Sequence, residues 1–320
     1  MTDTTNNTKT LAIVDSPLQV MMAKEYINEF EICNVDFLVS VHSIDYLRLN
    51  RSVLRYLNDI GANYRVVITK DLFRIFRYLR SPKVYERFII GDFRSLDKKL
   101  LMLFHAKRRF DIVYVDDGNA SFEFETGFSS AHGPSRLISS FVDTIIRRRV
   151  QDRAYFSAFI KEGTIKGVRV IPNPIRSLSM ADKEVSDDVV IIGCFTSYFE
   201  TIGMNYQEML VKLNNYIQVK WGNNHIRYYP HRRENDICAI KDFCKTVGWD
   251  ICFSRINIEL ELSRAEKRPK AIVGFGSSAL FLLKTICQGI DVETIHFVES
   301  EDYLNIERVY KDNGINVITL

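Results

Sequence analysis

Long apolar runs, paired cysteines and a strong net charge are all missing from this 320-residue chain. No stretch approaches the roughly 18 uninterrupted apolar residues of a membrane-spanning helix. The opening MTDTTNNTKT is polar and lacks the apolar run that a secretory signal needs, so the expected location is cytoplasmic. The six cysteines (Cys33, Cys194, Cys238, Cys244, Cys252, Cys287) form no C-x-x-C pair. Most sit in apolar segments such as IIGCF and LLKTICQG, as reduced core thiols do, so neither a disulfide framework nor a zinc site is expected. No nucleic-acid module is recognisable and basic residues are not interleaved with aromatics, which argues against nucleic acid as a partner.

What is present is a 46% hydrophobic composition in a chain long enough for two domains, each with its own core. The net charge of +3 is unevenly spread. Residues 1–176 carry 27 Lys and Arg against 20 Asp and Glu, whereas 177–320 carry 16 against 20. A basic first half suits an anionic partner, and equally a solvated basic face.

Short Val- and Ile-rich runs recur: LAIVDS, VDFLVS, YRVVIT, RFIIGD and DIVYVD in the first half, then VVIIGCF, IRYYPH, WDICFS, KAIVGFG, VETIHFV and INVITL. Continuous apolar runs are what strands buried on both faces look like, and the amphipathic segments between them supply the crossovers that parallel strands need. The pattern is α/β, with two doubly wound domains in series. The expected boundaries are a disordered N-terminus over 1–10, a first domain over 11–172, a linker over 173–187 and a second domain over 188–320. The region from about 135 to 162 reads as helical and basic. Its stretch FVDTIIRRRVQDRAYFSAFIKEG mixes apolar residues with Arg147, Arg148, Arg149 and Arg153, which suits peripheral contact with an anionic membrane as well as an ordinary surface helix.

Ligands of open α/β sheets bind beyond the carboxyl ends of the strands, which singles out four junctions. In IVDSPLQV, Ser16 and Pro17 start a helix and leave free N–H groups at the strand end, with Gln19 available to hydrogen-bond a substrate. In VYVDDGNAS, Asp116 and Asp117 end the fifth expected strand and Gly118 permits a tight turn. Adjacent carboxylates raise one another's pKa, which suits a base that takes a proton from a hydroxyl, although Asp and Asn also simply favour turns. In IRYYPHRRE, His231 follows a strand beside Arg232 and Arg233, ahead of a helix expected to begin near Glu234, and such a group can hold a phosphate. In AIVGFGSSALFLLK, Gly274 and Gly276 allow close approach of a ligand to the backbone. Ser277 and Ser278 offer hydroxyls and N–H groups at a helix start, and plain N-capping explains them as well. The P-loop lysine and the third glycine of a dinucleotide fingerprint are missing.

Taken in order, Asp-Asp-Gly, the strand-end histidine and Ser-Ser resemble the motifs of the bacterial sialyltransferase and polysialyltransferase group, which shares D/E-D/E-G, His-Pro and paired-serine motifs on a two-domain GT-B fold. SPLQ is similar to the first strand-end loop of the lipooligosaccharide branch. The likeness spans residues 11–320. It implies two Rossmann-like domains with an interdomain cleft, Asp116 as general base, and Asp117 and Gly118 completing the motif. It further implies His231 on the phosphate of a CMP-sugar as acid or electrostatic stabiliser, and Ser277 and Ser278 on the same phosphate. The family's His-Pro is His-Arg here, at His231 and Arg232, with Pro230 before it.

The implied activity is inverting, metal-independent transfer of sialic acid or a related nonulosonic acid, such as pseudaminic or legionaminic acid. The donor is a CMP-sugar, itself a substrate, so no cofactor is expected. The acceptor is a bacterial surface glycan, capsule or lipooligosaccharide, carried on a lipid or free. Transfer from CMP-Kdo or from a UDP- or GDP-sugar on the same fold stays open, as does a non-catalytic anion-binding role in polysaccharide assembly. The expected place of work is the cytoplasm, at the inner face of the cytoplasmic membrane if the basic segment docks there.

Overall fold

A computed structural model describes residues 8–49, 51–69, 84–92, 94–118, 121, 134–160, 165, 167–194, 203–231, 234, 237–297 and 301–320, with backbone alone at 48–49, 134–137 and 301–306. The chain divides into two compact units, Met1–Pro174 and Ile175–Leu320.

The first unit runs β1 (Thr10–Val14), α1 (Pro17–Glu29), β2 (Val35–Val41), α2 (Ile44–Leu49), α3 (Arg51–Asp59), β3 (Tyr64–Ile68), β4 (Tyr85–Ile90), α4 (Leu96–His105), β5 (Ala106–Val115), α5 (Pro134–Arg149), β6 (Val150–Ser157) and β7 (Arg169–Pro172). Its seven strands form one parallel sheet in the order β3-β2-β1-β4-β5-β6-β7. The second unit opens with a 3₁₀ turn (Arg176–Leu178). It continues β8 (Asp188–Ile192), α6 (Tyr206–Trp221), β9 (His225–Tyr229), α7 (Ile237–Val247), β10 (Asp250–Ile251), α8 (Ile258–Ser263), β11 (Ala271–Gly274), α9 (Ala279–Ile286), β12 (Asp291–His296), α10 (Glu301–Asp312) and β13 (Asn316–Thr319). These six strands are also parallel, in the order β10-β9-β8-β11-β12-β13.

Both sheets are doubly wound, because the chain adds strands outward on one side of β1 or β8 and then returns to build on the other. Covering each sheet on two faces is what makes TLAIV and DVVII apolar without alternation. In β1 every residue is buried. Leu11 and Ile13 point into a core with Phe88 and Ile90 of β4, Leu101 and Met102 of α4, and Val142 and Ile146 of α5. In the second unit Val189, Ile191, Tyr228 and Val273 pack against Leu210, Leu213 and Ile217 of α6.

All eleven expected strands form, and β6 and β7 are additional. Residues Val150–Ser157, expected as the tail of a helical segment, are a strand with Ala154–Ser157 buried. The periodicity hides it because Gln151 and Asp152 lie exposed at the sheet margin and break the apolar run. Thr10, expected in the disordered leader, is buried in β1 and its N–H donates to Asn34, while residues 1–7 lie outside the described residues. The stretch 173–187 is pinned down. Asn173 is buried with its amide 3.2 Å from the Met22 sulfur, Ile175 is buried, and the Met180 N–H donates to Ile286 at 2.8 Å. All six cysteines are free thiols, with Cys194, Cys244 and Cys287 buried. Among the described residues no helix is long and apolar enough to cross a membrane.

Candidate functional site

The strand orders give each sheet one topological switch point, between β1 and β4 in the first unit and between β8 and β11 in the second. Beyond the strand ends at such a point neighbouring loops diverge and leave a crevice. The residues singled out in the sequence fall at or beside these two places.

In the first unit Ser16 caps α1, its hydroxyl accepting from the Gln19 N–H at 3.3 Å, with Pro17 in the first helical turn. Gln19, expected to contact a substrate, is wholly buried instead. Its Oε1 accepts from the Asp15 N–H at 2.9 Å and its Nε2 donates to Asp117 Oδ1 at 2.7 Å. Both ends of the amide are thus spent tying the end of β1 to the acid pair beyond β5. Gly91, at the end of β4, makes this possible, because a Cβ there would lie 2.4 Å from Gln19 Cγ.

Asp116 is fully enclosed. Its Oδ1 accepts from Ser157 Oγ at 2.6 Å, at the last residue of β6, and its Oδ2 from the Ala158 N–H at 2.7 Å, just past it. Burial pushes its carboxyl up to about 7, against the lowering effect of the hydrogen bonds from Ser157, Ala158 and Ser121. Asp117 is half-buried and its own N–H donates to Ser121 Oγ at 2.9 Å. Its pKa is raised by burial and by the neighbouring Asp15 charge, with Lys98 and Gln19 opposing. Gly118 turns the chain at φ 62°, a left-handed conformation that suits glycine.

Lys98 was not legible in the sequence. It stands in the first turn of α4, capped by Ser95, with its Nζ buried 2.7 Å from Asp15 Oδ2. Burial alone would lower its pKa, but Asp15, Asp92 and Asp117 outweigh that and hold the ammonium charged. Of these three carboxylates Asp15 holds the Lys98 ammonium directly and Asp92 is also paired with Arg94 at 3.4 Å.

In the second unit His231 follows β9 and is half-buried. Its backbone N–H donates to Glu234 Oε2 at 2.6 Å, and the Glu234 N–H returns a bond to the His231 carbonyl at 2.9 Å. This is the reaching-back carboxylate of a capping box. Glu234, expected at a helix start, precedes the described helix, which begins at Ile237. It is buried, accepts from the Tyr228 hydroxyl at 2.5 Å and from the Tyr206 hydroxyl, and has a pKa raised by burial against those bonds. Arg232 lies outside the described residues.

Gly193, at the end of β8, clears room for this network. A Cβ there would sit 2.5 Å from Glu234 Oε2, 2.7 Å from Tyr228 Oη and 3.0 Å from the His231 nitrogen. Gly193→Ala is expected to destabilise the chain by about 1–3 kcal/mol through overpacking of a satisfied polar cluster, measured by urea unfolding. An unchanged midpoint would mean that Glu234 yields easily and does not fix His231.

At the other side of the same switch point Gly276 takes φ 55°, and its N–H donates to Thr294 Oγ1 at 3.0 Å. Gly274, expected to admit a ligand, serves packing: a Cβ would meet Leu280 Cδ2 at 3.1 Å and Ile192 Cβ at 3.4 Å. Ser277 Oγ accepts from the Ala279 N–H at 3.3 Å. Ser278 is the N-cap residue of α9 but its hydroxyl makes no capping bond. Both serines are half-buried at a helix start, where N–H groups favour an anion.

Two doubly wound parallel sheets in series, each with polar residues at its switch point, define a GT-B fold, the architecture of a class of glycosyltransferases. Bacterial sialyltransferases are among the solved structures that share it. The α/β-galactoside α-2,3-sialyltransferase of Photobacterium phosphoreum superposes with a TM-score of 0.55 at 12% identity, covering 98% of this chain and 99% of that one. A sialyltransferase from Photobacterium damsela gives a TM-score of 0.52 at 12% identity over 98% of this chain and 81% of that one. No protein-family model matches the chain, and no curated relative does.

Proposed function

We propose that the chain is an inverting glycosyltransferase that moves sialic acid or a related nonulosonic acid from a CMP donor to a bacterial surface glycan, without help from a metal. The observation that carries the reading is the division of labour between the two switch points. The first bears an enclosed carboxyl whose pKa of about 7 suits a base near neutral pH. The second bears an imidazole, serine hydroxyls and helix-start N–H groups, which suit a phosphate. Fold likeness to sialyltransferases supports the same reading.

The chemistry follows from the donor. The group that departs from a CMP-activated sugar is CMP, a single phosphate monoester, whose charge His231, Ser277, Ser278 and N–H dipoles can stabilise. The acceptor hydroxyl loses its proton to the acid pair as its oxygen attacks the anomeric carbon. One displacement from the face opposite the phosphate inverts that carbon. His231 then donates a proton or a hydrogen bond to the leaving oxygen.

Within the pair, Asp116 is the base by its raised pKa, and it meets a hydroxyl only when Ser157 or Ala158 gives way. A second reading, favoured by exposure, makes Asp117 the base, since its Oδ2 has no hydrogen-bond partner among the described residues.

Incubation with CMP-sialic acid, other CMP-nonulosonic acids, CMP-Kdo, UDP-sugars and GDP-sugars tests the reading. Release of CMP from a nonulosonic donor, accelerated by a glycan acceptor, is the expected result. Turnover of CMP-Kdo or of a UDP- or GDP-sugar alone would move the donor assignment. Binding of CMP without any turnover would leave an anion-binding protein.

A further inference from the structure

The transferase reading leaves unused an exposed apolar band on the first unit. Helices α4 and α5 lie side by side, joined by Lys99 to Asp143 at 2.8 Å and sharing a core through Leu101, Met102, Val142 and Ile146. Their outer faces carry Leu100 and Phe104, four residues apart on α4, and Ile138 and Phe141, three apart on α5. These side chains are 46%, 47%, 53% and 67% exposed. Spacing of three and four puts each pair on one helix face. A cluster of large exposed apolar groups on a soluble surface marks an interaction site.

Both helices run straight into strands, α4 into β5 and α5 into β6 with no residue between, so both end at the amino edge of the sheet, away from the switch point. That edge is basic. Arg149 turns inward, donating to the carbonyls of Ala106 at 3.0 Å and Lys107 at 2.6 Å and stacking on Phe110, and Lys107 pairs with Glu86. Arg108, Arg109, Arg147 and Arg148 are exposed and have no carboxylate partner among the described residues. Beside them opens a groove of about 610 Å³ whose lining includes Arg147, Arg153 and Arg169, with Asp152.

We propose that this face docks on an anionic lipid bilayer, with the apolar band of α4 and α5 in the headgroup–acyl boundary and the edge arginines at the depth of the lipid phosphates. Charge complementarity selects this occupant: apolar side chains bordered by unpaired arginines match a surface that is greasy a few ångströms down and negative at its rim. The docking element shares only residues 141–149 with the segment expected in the sequence, because Val150–Ser157 of that segment is the interior strand β6.

The test is co-sedimentation of the full chain with phosphatidylcholine vesicles and with vesicles in which phosphatidylglycerol makes up roughly a third of the lipid. Binding is expected on the anionic vesicles only, weakening as salt rises. Arg147→Glu with Arg148→Glu should lower it by about 25-fold or more, at roughly five-fold per basic residue lost. Ile138→Ser with Phe141→Ser should lower it by about tenfold or more. Val219→Ser, at an exposed apolar position of α6 in the second unit, should leave it intact. The proposal is overturned by equal binding to both vesicle types, by binding to neither, by indifference to either pair of substitutions, or by self-association through this face in place of lipid binding. Vesicle binding is measured without donor or acceptor, so it stands or falls apart from the transferase reading.

Discussion

Asp116→Asn is expected to slow donor-dependent transfer by about 10²- to 10⁴-fold, the range ascribed to a general base. The substitution keeps the size of the side chain and an oxygen for the Ser157 hydroxyl, but turns a donor toward the Ala158 N–H that now points at Oδ2 at 2.7 Å. Part of the effect is therefore structural, and the pH profile separates the parts. With the Asp116 carboxyl raised to about 7, kcat/KM of the native protein should climb with pH through about 7 and level off above it.

Stability should move the other way. The carboxyl's folded pKa lies above the ordinary value of 3.8, so the folded state binds the proton more tightly. That contribution is complete below about 3.8 and is lost as pH rises through about 7. Asp116→Asn should remove this decline between about pH 4 and 7, measured by urea unfolding across that range. Asp117→Asn should keep both the acid limb and most of the rate. If Asp117→Asn loses transfer while Asp116→Asn keeps it, the half-buried acid is the base and the enclosed one only braces β5 against β6.

The second large effect is expected at His231. Removing one preorganised donor from a developing charge costs about 10²- to 10³-fold in kcat, and His231→Ala should do so with CMP-sugar donors while leaving the fold intact. Glu234→Gln gives the contrast. With its amide oxygen in the place of Oε1 it keeps an acceptor for the Tyr206 and Tyr228 hydroxyls, but it removes the charge and turns its NH2 group toward the His231 N–H. It should cost about 1–3 kcal/mol of stability, as expected for charge-assisted bonds, and reduce kcat less than His231→Ala does. Equal kcat losses with no loss of stability would make Glu234 a group that meets the substrate directly. Full activity of His231→Ala would remove the histidine from the chemistry altogether.

The sequence and the structure agree where the signal is local. A strand covered on both faces is apolar throughout, so β1, β8 and β11 can be read from a few residues. Asp116, Asp117, His231, Ser277 and Ser278 stand out because polar residues follow such runs directly. Agreement fails where a local pattern is blurred or has two causes. β6 is hidden in the sequence because its first residues lie solvated and interrupt the apolar run. At Gly274 the missing Cβ makes room for Leu280, and from sequence alone such a glycine cannot be told from one that admits a ligand.

What no local pattern could supply are the partners. Gln19 and Asp117 are 98 residues apart and Asp15 and Lys98 are 83 apart. Gly91 and Gly193 matter only for the buried side chains that cross above them. By itself the sequence determined that there would be two parallel α/β units and which residues would end their strands, because apolar periodicity and turn chemistry act over a few residues. Only the tertiary structure decided which strand ends are neighbours, and with that which acid is enclosed, which lysine holds the acid pair and which glutamate fixes the histidine. Strand order depends on how whole faces pack together, and no short stretch of chain encodes it.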